Sequence, residues 1–599
     1  MLYLYADRRL SRLGSVPGKV LNLIPLSSKD DSIAVLITMH DCPDIRILTV
    51  SLGARDISSD MSLRAVDERF VLTSAAQFYG HLIIGSRNGF MEVFTAQDGA
   101  YTRIAEISPR SGGAITSIVP LPGQTGLSPI SFLTTNRDGM YRIYELDMTD
   151  GQSPRARLLH ETPPPFGPQI EDAWFCEEEG GGPAYLILTG FRSKDFIAWN
   201  ETKREYIAVV DCGGAHRTFA HSKSARPDRI HFAFTKATKV YIHSQERPAS
   251  RTLKPGSHGR EVRAIASGAG YFATGSEDTT IRIWERLEDA EVSLGAPFRC
   301  VTSMNAHTTG LQCLRWCGER LLSSGGNEDL FIWRVSRLPA GLAVSCEAIF
   351  RDKSPVGDLR ITDMDVCADE EEDSGALRVT MAFSNSVFKT YRYEPPAPGG
   401  EGKFEVLARG EYTGACFTQV RSLGRREGAA LPDVLTASTD GYIALWTPVG
   451  ESYATTSVAR IHQSSIKALD LRTVGEGAGY VVTTGGDDNA LAVTWLTPDS
   501  EGMGALTVSG RTIVRSAHAA AINGVVGLTG GNRVVSVSND QRVKVWEVSG
   551  DVSGGKPPTV RLVEDMYSGV SDACAVEYLG CTGEVVVGGV GTEIWRVDT

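Results

Sequence analysis

A cysteine, a histidine and an arginine lie within one seven-residue stretch, Asp211 to Arg217, which reads DCGGAHR. A thiol near an imidazole could form a nucleophilic pair, and a glycine-rich turn beside an arginine could hold an anion. The same residues also fit a tight turn, because glycine adopts backbone conformations that other residues avoid. No third group accompanies Cys212 and His216, so a nucleophilic pair is the least favoured of the three interpretations.

Two other glycine-rich stretches imitate cofactor-binding turns. Residues 550–557, GDVSGGKP, have the spacing of a phosphate-binding loop, but Pro557 stands where a serine or threonine would hold magnesium. Residues 474–480, VGEGAGY, resemble the GxGxG turn of S-adenosylmethionine enzymes, yet the strand-like run YVVTT follows instead of a helix, so we expect a hairpin. No GxSxG, HExxH or DFG-like set is present, and the sequence predicts a protein that is not an enzyme and has no cofactor.

The bulk composition narrows the class of protein. A chain of 599 residues is too long for one ordinary core, which predicts at least two domains. A net charge of −12 argues against a wholesale nucleic-acid binder and against DNA as a partner, although a local basic patch is compatible with it. The N-terminus lacks the apolar run of a signal peptide, and no segment is long and apolar enough to span a membrane.

The cysteines indicate reduced thiols. There are eleven, an odd number, without a CxxC pair, which favours a cytoplasmic location over a disulfide framework. Cys313 and Cys317 are the nearest approach to a metal-ligand spacing, but no second pair accompanies them, so a structural role is favoured over zinc.

A strand, turn and strand unit recurs along the whole chain, as in FATGSEDTTIRIW (272–284) and VVSVSNDQRVKVW (534–546). The second strand ends in an aromatic residue, which is Tyr391 in one copy. Seven of the nine tryptophans occupy this position, at 199, 284, 333, 446, 495, 546 and 595. From Trp284 onward the markers are about 50 residues apart, somewhat longer than a WD40 repeat. The pattern predicts a seven-bladed propeller, in which ring closure pairs the blades and protects the strand edges.

Four histidines give a second register, because each lies four residues before the apolar residue that opens a strand. In WD40 units this histidine joins a buried hydrogen-bond network with Ser or Thr, Asp and the repeat tryptophan, and such a network must be fully satisfied. We therefore expect a structural role for one set of residues: His258, His307, His462, His518, Trp284, Trp333, Trp446, Trp495, Trp546 and Trp595.

The predicted fold class is all-β, with tandem WD40-type β-propellers. Residues 246–599 form the seven-bladed C-terminal propeller, and residues 1–245 form an incomplete or degenerate N-terminal one, with markers at Phe94, Tyr144, Trp199 and Tyr241 and a worn copy at 44–50. Because the chain ends shortly after Trp595, we expect a segment within 239–254 to supply the outer strand of the last blade.

A group of motifs, taken in order, points to a particular family: TTNRDGMYRIYEL (134–146), GFRSKDFIAWN (190–200), DCGGAHRTF (211–219), HGREVRAI (258–265) and GSEDTTIRIW (275–284). In this order they resemble the WD-repeat subunit that accompanies the tRNA 2′-O-ribose methyltransferase acting on the wobble nucleotide. The resemblance implies a non-catalytic scaffold that binds the catalytic subunit and positions tRNA, through its anticodon-stem region, for methylation at nucleotide 34. Family members are longer at the N-terminus, so the chain corresponds to their later part.

Basic side chains near these motifs are the candidates for contact with tRNA or with the methyltransferase. They are His216, Arg217, Arg260, Arg263, Arg192 and Lys194. Glu261 could instead neutralise the neighbouring arginines, and the glycines of 211–217 could serve only a propeller junction. The alternative function is a protein-interaction platform without an RNA role, such as a substrate receptor or trafficking adaptor. A positive patch near Arg217 and Arg260 would favour the tRNA function, and a broad apolar or acidic face would favour the alternative.

Overall fold

The structure is a computed structural model of the chain. It describes residues 1–597 except for residues 7, 30, 41, 65–69, 98–99, 110–111, 125–128, 149–153, 177–183, 227–228, 246–257, 288–297, 340, 356, 358, 370–374, 397–401, 427–428, 475–478, 499–505, 529–531 and 553–555. The described residues form 47 strands and no α-helix. The predicted all-β fold class is therefore confirmed.

Contacts within the chain divide it into two compact units. The N-terminal unit comprises residues 1–255 together with 336–345, and the C-terminal unit comprises residues 256–335 and 346–599. The 336–345 segment is part of the N-terminal core, where Ala343 is buried with Leu121 and Phe166. The backbone N–H of Val344 donates to Nδ1 of His160 at 2.9 Å.

The strands of the N-terminal unit form a hairpin and five sheets. In order they are β1 (Leu2–Ala6) and β2 (Arg9–Gly14); β3 (Val20–Lys29), β4 (Ser32–Met39), β5 (Cys42–Ser51) and β6 (Asp56–Arg64); β7 (Leu72–Phe78), β8 (His81–Ser86), β9 (Met91–Gln97) and β10 (Ala100–Ile107); β11 (Ile115–Pro120), β12 (Ile130–Asn136), β13 (Tyr141–Asp147) and β14 (Arg155–Thr162); β15 (Gln169–Cys176), β16 (Tyr185–Arg192), β17 (Asp195–Asn200) and β18 (Glu205–Asp211); and β19 (Phe219–His221), β20 (Ile230–Lys236) and β21 (Lys239–Gln245).

Seven successive groups of strands follow, numbered here as blades 1 to 7, and they belong to the C-terminal unit except for residues 336–345 of β28 and β29. They are β22 (Val262–Gly268), β23 (Tyr271–Ser276), β24 (Ile281–Arg286) and β25 (Phe298–Met304); β26 (Leu311–Cys317), β27 (Arg320–Gly325), β28 (Leu330–Leu338) and β29 (Gly341–Ile349); β30 (Ile361–Ala368), β31 (Leu377–Phe383), β32 (Val387–Glu394) and β33 (Lys403–Glu411); β34 (Phe417–Ser422), β35 (Val434–Ser438), β36 (Tyr442–Val449) and β37 (Ser452–Arg460); β38 (Ile466–Val474), β39 (Gly479–Gly486), β40 (Leu491–Pro498) and β41 (Leu506–Val514); β42 (Ile522–Gly527), β43 (Arg533–Ser538), β44 (Arg542–Ser549) and β45 (Thr559–Tyr567); and β46 (Ser571–Leu579) and β47 (Glu584–Arg596).

The sequence repeat explains the blade. Each four-stranded blade is an antiparallel meander in chain order, as in blade 1, where Phe272 of β23 lies opposite Trp284 of β24 and Trp284 lies opposite Cys300 of β25. The repeat aromatic falls in the third strand of blades 1 to 6, and in blade 7 Trp595 lies in β47, the second of two strands. The N-terminal markers also lie in third strands, because β9, β13, β17 and β21 contain Phe94, Tyr144, Trp199 and Tyr241. The worn copy at 44–50 lies in β5, also a third strand.

The seven blades of the C-terminal unit close into a ring. The first strands of the blades are neighbours in the order β22, β26, β30, β34, β38, β42 and β46, and β46 lies beside β22 again. At the closure Val262 and Ile265 pack against Ala575 and Leu579, and Ser267 Oγ donates to Glu577 Oε1 at 2.6 Å. The predicted seven-bladed propeller is therefore present.

The structure differs from the prediction that a segment within 239–254 supplies the outer strand of blade 7. Residues 239–245 form β21, which pairs with β20 inside the N-terminal unit rather than with β47. The rest of the predicted segment, 246–254, lies outside the described residues. The N-terminal unit has neighbouring first strands β3, β7, β11 and β15, and its last sheet has three strands, which fits an incomplete propeller.

Candidate functional site

Two blades of the C-terminal unit carry a complete network behind the repeat histidine and tryptophan. In blade 1, His258 Nδ1 contacts the Asp278 carboxylate at 3.2 Å and Nε2 contacts Thr274 Oγ1 at 2.7 Å. The Trp284 indole donates to the same Thr274 hydroxyl at 2.8 Å. Because every polar atom of this buried group has a partner, the network fixes the blade geometry and leaves no residue free for chemistry. Blade 6 repeats the contacts with His518, Asp540, Ser536 and Trp546.

Other blades hold only part of this network. In blade 2, His307 Nε2 and the Trp333 indole both bond to Ser323 Oγ, at 2.7 and 2.9 Å, whereas His307 Nδ1 has no hydrogen-bond partner among the described residues. Burial lowers the pKa of His307 to about 4, so the ring is neutral at physiological pH. In blade 4 the Trp446 indole donates to Thr436.

A tyrosine replaces the missing histidine of blade 4. The hydroxyl of Tyr412 donates to Asp440 Oδ2 at 2.9 Å, and Asp440 also accepts from Ser438 Oγ at 2.5 Å. Burial, with a further contribution from Asp440, raises the pKa of Tyr412 to about 12. A phenol thus serves in blade 4 where blades 1, 2, 5 and 6 use an imidazole.

The prediction that Trp495 and Trp595 join such networks requires correction. His462 of blade 5 bonds to Asp488 at 2.9 Å and Thr484 at 2.8 Å, but the indole nitrogens of Trp495 and Trp595 have no hydrogen-bond partner in the described part of the chain. The bonded tryptophans find their hydroxyl acceptor ten residues earlier in the sequence. Gly485 and Val585 occupy that place for the two exceptions, so neither blade offers an acceptor.

The stretch 211–217, called here the glycine turn, follows β18. Gly213 and Gly214 have φ angles of +86° and +103°, conformations that favour glycine. A Cβ on Gly214 would lie 3.1 Å from the carbonyl oxygen of Ser193. The backbone N–H groups of Cys212 and Gly213 donate to the Lys194 carbonyl at 3.1 and 3.0 Å. The glycine turn is therefore seated against the tight turn between β16 and β17.

The thiol in the glycine turn is structural. Cys212 is buried, at 1% exposure, and its Sγ donates to the Lys194 carbonyl at 3.4 Å. His216 is exposed. A buried thiol that is already bonded to a carbonyl oxygen has no need of the imidazole, and this geometry favours the turn interpretation over the nucleophilic pair.

Two arginines near the glycine turn carry uncompensated charge. Arg192, the last residue of β16, is exposed, and Arg217 is half-buried. Neither forms an ion pair with a described residue, and the Arg217 Nε is buried without a hydrogen-bond partner among them. Lys194, by contrast, is paired with Asp211 at 2.8 Å. The turn region thus offers Arg192, Arg217 and the His216 ring to an anion, while the Lys194 charge is largely balanced.

The candidates of the C-terminal unit divide in the same way. Arg260 precedes β22, is exposed and has no ion pair within the described part of this unit. Arg263 forms ion pairs with Glu277 at 2.5 Å and Glu261 at 3.5 Å. The Arg263 charge is therefore neutralised, which is the alternative that the sequence left open.

A cluster of charged residues on the first strands of blades 2, 3 and 4 was not predicted from the sequence. Asp363 of β30 is buried and accepts from Arg315 of β26 at 2.9 Å and from the Val420 N–H at 3.0 Å. Arg421 of β34 adds an ion pair to the same carboxylate. Although burial alone would raise it, Arg421 and Arg315 hold the pKa of Asp363 below its usual range. The partners are about 50 residues apart, so only a blade alignment of polar residues in first strands would have revealed them.

In the described part of the chain, Cys313 and the strands around the VGEGAGY stretch have structural roles. Cys313 is buried, its thiol contacts Asp363 at 3.2 Å, and burial raises its pKa to about 12. Across the described residues no group of three or more His, Cys, Asp or Glu side chains could hold a metal ion. The VGEGAGY stretch joins the antiparallel strands β38 and β39 as the expected hairpin, with 475–478 outside the described residues, as are 553–555 of GDVSGGKP.

Closed blades with a repeated histidine, aspartate, hydroxyl and tryptophan network define a WD40-type β-propeller protein. A family model described as "WD domain, G-beta repeat" matches residues 250–285 and 511–547. These two segments contain Trp284 and Trp546, the tryptophans of the blades whose networks are complete.

Part of the chain is also similar in sequence to curated proteins of one name. Proteins named "tRNA (34-2'-O)-methyltransferase regulator WDR6" match from Homo sapiens, with 26% identity over 167 residues, and from Rattus norvegicus, with 23% identity over 213 residues. These alignments cover 26% and 31% of the chain, and 13% and 18% of the relatives' own length. The chain therefore spans less than a fifth of the curated relatives it matches. Among the described residues, no helix has the length and hydropathy needed to cross a membrane.

Proposed function

We propose that the chain is a non-catalytic WD40 scaffold that binds a tRNA 2′-O-methyltransferase and positions tRNA for ribose methylation at wobble nucleotide 34. The observation that carries the proposal is the similarity to proteins named as regulators of that methyltransferase. The blade networks support it, because their polar residues are engaged in holding the fold. We place the protein in the cytoplasm, where eleven free cysteines would stay reduced.

The proposed contribution to catalysis is positioning. Holding two reactants in the right geometry lowers the entropic cost of their reaction without any chemistry by the scaffold. The methyltransferase would supply the reacting groups, and the WD40 protein would fix the anticodon-stem region of the tRNA relative to them. No cofactor is needed in this chain for that role.

The glycine turn and the neighbouring Arg192 form the proposed binding site for an anion in the N-terminal unit. A protein with a net charge of −12 needs a local excess of positive charge to hold RNA. Arg192 and Arg217 have no ion pair among the described residues, so contact with a phosphate would not first require breaking one. Phosphate contacts of this kind position a nucleic acid without reading its sequence. His216 beside them can donate a hydrogen bond.

In the C-terminal unit we propose Arg260 and not Arg263 as a contact to tRNA or to the methyltransferase. Arg260 is exposed and has no carboxylate partner in the described part of the unit, whereas Arg263 already contacts Glu277 and Glu261. A phosphate would have to displace those carboxylates to reach Arg263.

One observation favours the alternative function, a protein-interaction platform without RNA. Val240 and Ile242 of β21 are 68% and 76% exposed, on the edge strand of the three-stranded sheet. An exposed apolar edge strand is a ready template for a further strand from a protein partner. A substrate receptor or trafficking adaptor would use such an edge and would not need Arg192 or Arg217.

The two functions are separated by complementation in cells that lack the protein. We expect R192A/R217A to lower 2′-O-methylation at nucleotide 34 by about fivefold or more, because one ordinary phosphate contact contributes about that much binding. The matched control is R64A/R157A, which removes two exposed arginines that are already paired with Asp44 and Glu145. Methylation at nucleotide 34 is measured by mass spectrometry. Equal rescue by both double variants would remove the glycine turn from the proposal.

A further inference from the structure

The N-terminal hairpin, formed by β1 and β2, has one face on the protein and one in solvent. Leu2 packs beside the core of the β3–β6 sheet, together with Val16 and Val20 around Ile37 and Met39. Because side chains alternate across a strand, the neighbours of Leu2 in β1 must point the other way. The hairpin is thus held by one apolar face and displays the other.

The displayed face carries aromatic and cationic side chains. Tyr3 lies opposite Arg12 and Tyr5 lies opposite Leu10 in the antiparallel register. Tyr3, Tyr5 and Leu10 are 52%, 70% and 67% exposed, far more than the buried aromatic residues that form the blade cores. Exposing three large apolar side chains on a short two-stranded ribbon is unfavourable unless a ligand covers them.

The charge of the hairpin indicates what that ligand is. Arg12 is exposed on the same face and Arg8 is exposed at the turn, whereas Arg9, opposite Ala6, is exposed but belongs to the other face. None of the three forms an ion pair with a described residue, and Asp7 is the one acidic residue of the first 19 in the sequence. Such a segment in a chain of net charge −12 is a local cationic site for a polyanion.

We propose that the exposed face of the N-terminal hairpin binds unpaired nucleotides of RNA, with two bases stacked on Tyr3 and Tyr5 and the phosphates held by Arg12 on the same face and by Arg8 at the turn. Residues i and i+2 of a strand are about 6.6 Å apart, and aromatic residues on the strands of RNA-binding sheets stack two or three splayed bases in the same manner. Stacking on tyrosine tolerates any base, because every base has a π-face. That the bound RNA is tRNA rests on the proposed function. The inference that the hairpin stacks unpaired bases is independent of it.

The test is a binding titration of the full 599-residue chain with a fluorescent twelve-nucleotide oligouridine and with an anticodon stem-loop RNA. Y3S/Y5S should weaken the affinity for both probes about tenfold or more, since loss of a stacked base has effects of this order. Y3F/Y5F keeps the rings and should retain the affinity. R8A/R12A should weaken binding and flatten the dependence of log K on log salt by about 1.4, or about 0.7 for each phosphate.

The matched control is Tyr567 of β45, which is 62% exposed and lies opposite Arg542 in the C-terminal unit. The Arg542 charge is balanced by Asp565 at 3.7 Å, so Y567S removes an exposed tyrosine of a neutralised pair and should leave the affinity unchanged. Thermal unfolding of each variant identifies any loss of fold. The hairpin substitutions are on the solvent face and should leave it intact.

Several results would overturn the inference. They are an unchanged affinity of Y3S/Y5S, an equal effect of Y567S, and an absence of RNA binding by the unaltered chain. Self-association that Y3S/Y5S abolishes in sedimentation, or binding to anionic vesicles without binding to RNA, would assign the face to a second copy or to a lipid surface instead. Methylation at nucleotide 34 in cells judges the proposed function separately, because it can fail or succeed without the hairpin.

Discussion

At the scale of single residues, the repeat tryptophans fall into two groups that differ in one neighbour. Trp284, Trp333, Trp446 and Trp546 donate to a serine or threonine ten residues earlier. Trp495 and Trp595 lack such an acceptor among the described residues and pack in apolar clusters, Trp495 among the valines of blades 5 and 6. The same residue type in the same repeat therefore serves a hydrogen-bond network in one blade and a hydrophobic contact in another.

Replacement by phenylalanine should separate these roles. Trp546 and Trp495 are both 3% exposed, so W546F and W495F lose similar volume, but only W546F loses a hydrogen bond, the one to Ser536. We expect W546F to lower the free energy of unfolding by about 1 kcal/mol more than W495F does. Scanning calorimetry of the C-terminal unit measures both. Equal losses would mean that the indole bond adds nothing to stability.

Much of this residue pattern could be read from the sequence. The positions of the tryptophans and histidines predicted the third strands and the networks of blades 1 and 6, because those residues recur at fixed distances. The prediction was wrong for Trp495 and Trp595 because the aromatic position alone does not show whether a serine or threonine lies ten residues earlier. The pairing of Arg263 with Glu261 was an alternative that the sequence left open, whereas its pairing with Glu277 was not predicted, since strand geometry brings Glu277 to it.

At the scale of elements, one carboxylate links the first strands of three blades. Asp363 of β30 bonds to Arg315 of β26 and to Arg421 of β34. It is 3% exposed, and removal of one partner from a buried ion pair leaves the others uncompensated. The cluster therefore holds neighbouring blades in register around the ring.

We expect D363N to lower the stability of the C-terminal unit by about 3–5 kcal/mol, because the buried carboxylate loses its charge and two half-buried arginines lose their counter-charge. The control is D565N on β45, where the carboxylate is 38% exposed and its ion pairs with Lys544 and Arg542 are 3.4 and 3.7 Å long. An exposed pair of this kind contributes less than about 1 kcal/mol. Denaturant unfolding of the two variants gives the comparison, and similar losses would contradict the role assigned to Asp363.

The same carboxylate has a defined pH signature. The pKa of Asp363 is lower in the folded state than its ordinary value of 3.8, so the folded state favours the ionised form. Its contribution is fully present above that ordinary value and is lost as the pH falls through the lower folded-state pKa. The stability difference between the wild-type chain and D363N should therefore be constant near neutrality and should narrow below about pH 4.

The order of the elements was more predictable than their long-range contacts. Strand alternation and the repeat length gave the seven blades and the incomplete N-terminal sheets, because each blade is built from neighbouring residues. The inclusion of 336–345 in the N-terminal unit follows from the packing of Ala343 with Leu121 and Phe166. That contact joins residues more than 170 positions apart in the sequence, and no local sequence pattern predicts it.

At the scale of the whole molecule, an acidic protein displays cations that have no ion pair among the described residues, and those near the family-like motifs are the proposed contact sites. The net charge is −12, yet Arg192, Arg217 and Arg260 have no ion pair among the described residues. The polar residues of the blade networks are engaged with one another. Under the proposed function, these cations are the points of contact with tRNA or with the methyltransferase.

The most direct test of that account is mass-spectrometric analysis of ribose methylation in tRNA from cells that lack the protein, with anticodon-loop position 32 as the internal control. The account predicts loss of 2′-O-methylation at nucleotide 34 while methylation at 32 is intact, and restoration by the wild-type chain. Unchanged methylation at 34 would contradict the central claim, and the propeller would then be a scaffold for other partners.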